Sequence, residues 1–367
     1  MSVYRIYGDK LLSKTEFADA VAEAGNNALD PNVFLTNVAA DIALVETSAL
    51  ENTMNPAVTQ FVPIGFGRPL TILIREIYTG RYPSRGFLGS STKPMAVVTG
   101  LKDYSAYAAT SRAVNFLMKD VKPHTRFKAP PTFTDGTNVV AYSPAVVTDS
   151  FHFTIEIAFD KFDDSLFDLV SKGLATAAGI PVLMPAAGYL LAASGLVKIG
   201  ASVADGLIDG KASFSVTDSF DFNLPGTAAP AADFRVLCHF DANGMTYDPV
   251  QGLLNPNGTV YQGDEPYVVI SLDGAVRKNL ESFSAAVATA GILKQFFNMR
   301  DGAEVISTSL IDAVKLASDM KYRGQAEDLQ RQIELAVGTE KNELQARLDA
   351  INKNILTQTL RVGAAPK

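Results

Sequence analysis

From Phe151 to Asp160 the side chains alternate without a break. Phe151, Phe153, Ile155, Ile157 and Phe159 fall on one side of an extended chain; His152, Thr154, Glu156 and Asp160 fall on the other. Successive side chains of a strand point to opposite faces, so such a run has one dry face and one wet face. The same pattern returns in Phe214, Val216, Phe220, Phe222 and Leu224, set opposite Ser213, Ser215, Thr217, Ser219 and Asp221. Phe234, Val236, Cys238 and Phe240 give a third dry face. One-sided burial of this kind belongs to antiparallel sheets. The β-branched runs Leu70–Tyr78 and Met95–Leu101 add further strands, and Asp135-Gly136, Asn243-Gly244 and Asn257-Gly258 supply hairpin turns. The helices of a repeated βαβ pattern are missing. The expectation is an α+β protein with an antiparallel β-sandwich core over residues 59–275.

Helical signals lie at both ends. Ser13-Lys14-Thr15-Glu16 reads as a capping box, with Phe17, Val21 and Ala24 at helical spacing behind it. Asp30-Pro31 offers a second cap, followed by Phe34, Val38, Ile42, Val45 and Ala49. Residues 1–58 are therefore expected to be a helical N-terminal segment. Residues 276–367 are expected to be helical as well: Leu310, Val314, Ala317 and Met320 begin a stripe that Leu329, Ile333 and Ala336 continue. Gly338-Thr339 marks a stop and a restart. Leu344, Leu348, Ile351 and Ile355 then follow the 4-3-4 spacing of a coiled-coil seam, which makes them candidates for helix assembly.

An apolar insertion interrupts the strands. No charged residue occurs from Gly173 to Val197, a span of 25 residues. Residues 163–210 are expected to form a helical hairpin. Its first helix carries Leu166, Val170, Leu174 and Ala177, Gly179-Ile180-Pro181 breaks it, and the second follows Pro185. Leu190, Leu191, Leu196, Val197, Ile199 and Val203 are its candidate interaction or membrane-contacting residues. The run exceeds the roughly 20 residues that cross a bilayer, but Pro181 and Pro185 interrupt it and Lys198, Asp205 and Asp209 limit its extension.

Reactive chemistry is hard to place. Cys238-His239 invites a dyad, but neighbours on a strand point apart, which sends Cys238 into the core and His239 outward with Arg235 and Asp241. His152 belongs to the wet face of its strand and His124 to a loop, and no histidine has metal-ligand spacing to another His or Cys. Gly65-Phe66-Gly67 lacks the third glycine of a dinucleotide fingerprint. In Gly206–Ala212 the glycines are one residue too close for a phosphate loop, and Ala212 replaces the metal-binding hydroxyl. Asp160, Asp163, Asp164 and Asp168 gather at a strand-to-helix junction; the first three are weak candidates for a hard cation, although carboxylates there also cap a helix. No cofactor is expected.

A net charge of −7 argues against a general nucleic-acid binder. A single cysteine and an N-terminal stretch without an apolar core point to a reducing, cytoplasmic setting. The leading expectation is a non-enzymatic protein-binding or self-assembling protein, a homo-oligomer that uses its helical ends and the apolar hairpin as contact surfaces. The alternative is a membrane-perturbing, pore-forming effector that inserts residues 173–204 after a trigger. A hydrolase relying on carboxylates such as Asp160 and Glu156 comes third.

Overall fold

A computed structural model describes residues 2–24, 62, 64–83, 92–103, 111–128, 136–160, 162, 164–176, 182–186, 189–192, 195–198, 212–222, 232–277, 280, 290 and 308–363. Within them the protein is a mixed α/β structure whose named strands all pair antiparallel. In chain order the elements are β1 (Ser2–Tyr7), β2 (Lys10–Leu12), α1 (Lys14–Ala24), β3 (Leu70–Tyr78), β4 (Lys93–Asp103), β5 (Ser111–Val121), β6 (Arg126–Phe127), β7 (Val139–Ser143) and β8 (Ser150–Phe159). Then come α2 (Asp164–Thr176), β9 (Val182–Ala186), β10 (Tyr189–Ala192), β11 (Gly195–Lys198), β12 (Phe214–Asp221), β13 (Asp233–Cys238), β14 (Thr246–Asp248), β15 (Gly252–Leu254) and β16 (Tyr267–Asp273). The helices α3 (Thr308–Leu335) and α4 (Gly338–Asn354) complete the series.

The strands form two sheets. The larger has nine strands in the order β15-β14-β2-β1-β13-β16-β3-β6, with β7 also on β3; the smaller has seven, β11-β10-β9-β5-β4-β8-β12. Both feed one buried cluster, which Ile72, Ile74, Leu237 and Ile270 enter from the larger sheet and Val97, Phe116, Ile155 and Phe214 from the smaller. The alternation in β8 is realised: Phe153, Ile155 and Ile157 are buried, while Thr154 meets Thr217 of β12 across the wet face at 2.9 Å. The capping box also forms, the Ser13 amide donating to Glu16 Oε2 at 2.8 Å and the Glu16 amide to Ser13 Oγ at 3.3 Å. Hydrogen bonding from the Ser13 side chain and the Ser13 amide holds the Glu16 carboxyl below its usual range.

Two polar ties join the sheets. Asn115, which the shifted register of β5 against β4 leaves between paired residues, donates to the Val139 carbonyl at 2.7 Å and accepts from Thr99 Oγ1 at 2.6 Å. The second tie corrects the outward placement of Arg235. That residue is 2% exposed; it donates to Asp233 Oδ1 at 2.9 Å and to Asp218 Oδ2 of β12 at 2.7 Å. Its guanidinium lies 4.4 Å from the Phe220 ring centroid, and Arg5 approaches Asp233 at 3.4 Å. The reason is that β13 is buried along its whole length: Phe234, Val236 and Cys238 enter a second apolar cluster, while Arg235 shares the opposite side with Leu237.

Two further expectations are revised. The N-terminal segment is not helical throughout, because residues 2–7 and 10–12 are strands of the larger sheet, and β1 pairs with β13. Val3, Tyr4, Ile6 and Tyr7 are β-branched or aromatic and suit a pleated surface, and the helical signal begins only at Ser13, ahead of α1. The helical hairpin survives only in its first half, α2. Beyond it, residues 182–186, 189–192 and 195–198 are the strands β9, β10 and β11. Gly188 and Gly195 cut this stretch into apolar runs of strand length, and an unbroken apolar run carries no period that would favour a helix. Other expected helical positions, residues 25–58, 177–181, 199–210 and 291–307, lie outside the described residues.

The C-terminal helices form an antiparallel pair. Tyr322, Ala326, Leu329 and Ile333 of α3 pack on Leu348 and Ile351 of α4 and on Ile355. Asp319, 4% exposed, accepts from the amides of Leu356 and Thr357, pinning the chain that leaves α4. Asn354 donates to the Ala145 carbonyl at 3.1 Å, and Arg347 lies over the Phe66 ring, so α4 rests on the sheet body.

Replacing Arg235 by alanine should cost about 3–5 kcal/mol, because it strands the buried Asp233 carboxylate. The apolar double replacement Arg235→Met with Asp233→Leu should recover most of that loss. Urea unfolding of the two variants measures both.

Candidate functional site

The residues singled out from the sequence scatter. Asp164 opens α2 and accepts from Lys119 Nζ at 2.8 Å, which holds its carboxyl below the usual range. Asp160 is exposed at the end of β8, and Asp163 lies outside the described residues. Among the described residues no group of three His, Cys, Asp or Glu side chains could hold a metal ion. Glu156 is engaged by Arg112. Cys238 is buried, donates its S–H to the Phe240 carbonyl at 3.3 Å, and has its thiol pushed up to about 12 by burial. His239 turns the other way, stacking on Phe214 with Nε2 2.9 Å from the Ser215 carbonyl. Cysteine and histidine thus serve different clusters.

The assembly and membrane candidates are placed more tellingly. Leu348, Ile351 and Ile355 are buried against α3, and Leu344 packs beside them, so the seam has its partner helix within the chain. Leu190 pairs with Val197 and Leu191 with Leu196 across β10 and β11; Ile199 and Val203 lie outside the described residues. This ribbon joins the body through three register pairs of β9 with β5: Arg112–Met184, Ala113–Leu183 and Val114–Val182. No helix among the described residues is long and apolar enough to cross a membrane.

The most unusual polar cluster escaped the sequence reading. Glu76 of β3 is 0% exposed. Tyr267 Oη donates to its Oε1 at 2.6 Å, Tyr247 Oη donates to its Oε2 at 3.3 Å, and Arg126 Nε lies 4.0 Å away. Burial pushes the Glu76 carboxyl above its ordinary value against the opposing pull of Tyr267, Arg126 and Tyr247. Beside it Tyr267 stacks on Tyr78 at 5.2 Å, and Tyr261 meets Tyr78 edge-on at 5.5 Å. The Tyr78 hydroxyl donates to the Gly263 carbonyl at 3.0 Å. Having spent its one proton there, it accepts from His124 Nδ1 at 2.8 Å, which fixes the proton on that nitrogen.

A bulge explains how a glutamate came to lie here. Val269 of β16 pairs with Glu76, but Ile270 pairs with Ile74, so β3 carries an extra residue at Arg75. The bulge keeps Ile77 on the inner side with Ile72 and Ile74, and turns Glu76 and Tyr78 toward the other cluster. Burying a carboxylate there requires phenols and a guanidinium in place of water. The cluster can store a proton and hold its neighbours. Both carboxylate oxygens already carry hydrogen bonds, which leaves no free nucleophile.

Compared with models of known protein families and with curated proteins, the chain matches none.

Gly252 completes the cluster. At φ +81 its position would put a Cβ 2.3 Å from Arg126 Nη1 and 2.6 Å from Glu76 Oε1. Gly252→Ala should therefore destabilise the fold by about 2–4 kcal/mol, through left-handed strain plus overpacking. Thermal or urea unfolding reads this directly, and a change under ~0.5 kcal/mol would contradict the geometry.

Proposed function

We propose that the chain is a non-enzymatic binding and self-assembling protein: a β-sandwich body whose C-terminal helical hairpin docks on a second copy. The cluster shared by the two sheets supports the sandwich reading. The observation that carries assembly is at the hairpin tip, where Leu335 is 87% exposed and Val337 80% exposed, with the α3–α4 turn between them. Leu316 and Met320, one turn apart on α3, are 50% and 49% exposed. Large apolar side chains gathered on one element cost free energy in water and mark contact sites when they cluster. Around them run paired charges of both signs, Arg323 with Glu327 and Arg331 with Asp328, so a second copy laid antiparallel finds opposite charges to face. Because the a/d seam is closed inside the chain, these outer positions rather than Leu348 or Ile351 carry the contact.

Light scattering coupled to gel filtration tests this reading. The wild-type protein should run above the monomer mass, and Leu335→Lys with Val337→Lys should return it to monomer without lowering its melting temperature. A wild type that stays monomeric across a wide concentration range would rule the reading out.

A second reading, a membrane-perturbing effector, draws support from the ribbon. The uncharged stretch ends in the last three strands of the smaller sheet, and only β9 pairs with the body. The ribbon also lies against α2 and α3 and buries Leu183, so its release breaks those contacts along with the β9–β5 pairing. Each of its strands has four or five residues, short of the roughly 9–11 of a spanning strand, so insertion of residues 173–204 entails refolding. Dye release from anionic vesicles, with and without acidification or limited proteolysis, decides it; intact vesicles under every condition exclude it.

A further inference from the structure

Glu76 is enclosed by groups from four other strands. β16 supplies the Tyr267 hydroxyl, β14 the Tyr247 hydroxyl, β6 the Arg126 guanidinium with the positive field of Lys128 beyond it, and β15 the backbone of Gly252. On its own strand Tyr78 directs its hydroxyl away, to Gly263 and His124. Neither phenol is a cation, and the guanidinium is divided: Arg126 Nη2 donates to the Val250 carbonyl at 3.0 Å, while Nη1 is buried without an acceptor. An ionised carboxylate in this place has lost its water and gained less than a full countercharge.

Three of these contacts come from one small element. Tyr247, Val250 and Gly252 all belong to the β14–β15 hairpin, whose turn is held by Asp248 accepting from the amides of Val250 and Gln251 at 2.7 Å. The hairpin is tied to the same phenol again, since the Leu253 amide donates to Tyr267 Oη at 3.3 Å. Lifting it would return the carboxyl to water and free Arg126 from Val250.

We propose that the β14–β15 hairpin is a proton-coupled latch, shut over a protonated Glu76 and released when Glu76 ionises. A neutral carboxyl still accepts from Tyr267 at Oε1 and needs no cation; its proton, on Oε2, faces Tyr247 Oη, which then accepts where it would donate to the ionised form. With the hairpin shut, burial holds the Glu76 carboxyl above its ordinary value; with the hairpin open, water returns it to that ordinary value. The shut form therefore binds more protons over the interval between those two values. Acid favours closure there, and rising pH favours opening, by up to about tenfold in the opening constant per pH unit.

Hydrogen exchange on the full chain tests the latch. Amide exchange across residues 246–254 is followed from roughly pH 5 to about pH 8 and corrected for the intrinsic rate. In the wild type the opening constant at Leu253 should climb with pH, while Val97 and Ile155, in the smaller sheet, show no matching slope. Glu76→Gln, neutral throughout, should abolish the climb. Tyr247→Phe, which keeps the ring and removes one donor to the ionised form, should extend it to higher pH. A flat wild-type profile, or the same slope in Glu76→Gln, overturns the proposal. Should Glu76→Gln fail to fold, infrared spectroscopy of the wild type and Tyr247→Phe decides: the protonated-carboxyl band must fade in step with hairpin opening, and fading without opening refutes the coupling.

Discussion

The Arg235 guanidinium sits between Asp233 of its own strand and Asp218 of the opposite sheet, with the Phe220 ring against it. A cation so deeply enclosed is tolerable only while both carboxylates stay in reach. Its position therefore restricts the strands around it. Were β12 to slip by one residue against β8, Asp218 would turn to the wet face, and Thr217 or Ser219 would face Arg235. The observed register, Asp218 opposite Phe153 and Val216 opposite Ile155, is the one that satisfies the charge and the apolar packing together. Asn115 imposes a similar condition farther along, since its amide is satisfied only where β5 and β7 come together. Apolar contact supplies the bulk of the attraction between the sheets, and these two polar ties specify its alignment.

The parts of this architecture that could be read from the chain are those governed by local periodicity. β8 announced both of its faces, and the Ser13–Glu16 box marked the start of α1 to the residue. What could not be read depended on distant partners. Arg235 looks like any outward residue of an alternating strand until a second sheet covers that face. Its one trace in the sequence is Asp218, which shares parity with Phe214, Val216 and Phe220 and so breaks a dry face with a charge. Glu76 left no trace, because a bulge changes the parity of a strand without any marker in its residues. The ribbon is illegible for a different reason: uniform apolarity has no period, and sheet pairing rather than propensity settles its form.

The 4-3-4 spacing in α4 shows the limit of such patterns from another side. It states correctly that Leu344, Leu348 and Ile351 face a helix, but it does not say whose. Here the answer is the preceding helix of the same chain, joined through the Gly338 turn. The large apolar side chains left exposed on this pair, Leu316, Met320, Leu335 and Val337, all lie outside the seam. In the Glu76 cluster both carboxylate oxygens are held by phenols, Tyr267 at Oε1 and Tyr247 at Oε2.

The position of β1 bears on how the molecule comes into being. That strand lies inside the larger sheet, between β2 and β13, and its Tyr4 hydroxyl donates to an aspartate 237 positions later, Asp241. Its inner neighbour β13 therefore leaves the ribosome long after β1 itself. Until then one edge of β1 stays open, and the nascent chain must shield an unfinished sheet. Contacts between such remote segments are slow to form, so the order of synthesis opposes the order of assembly in this fold.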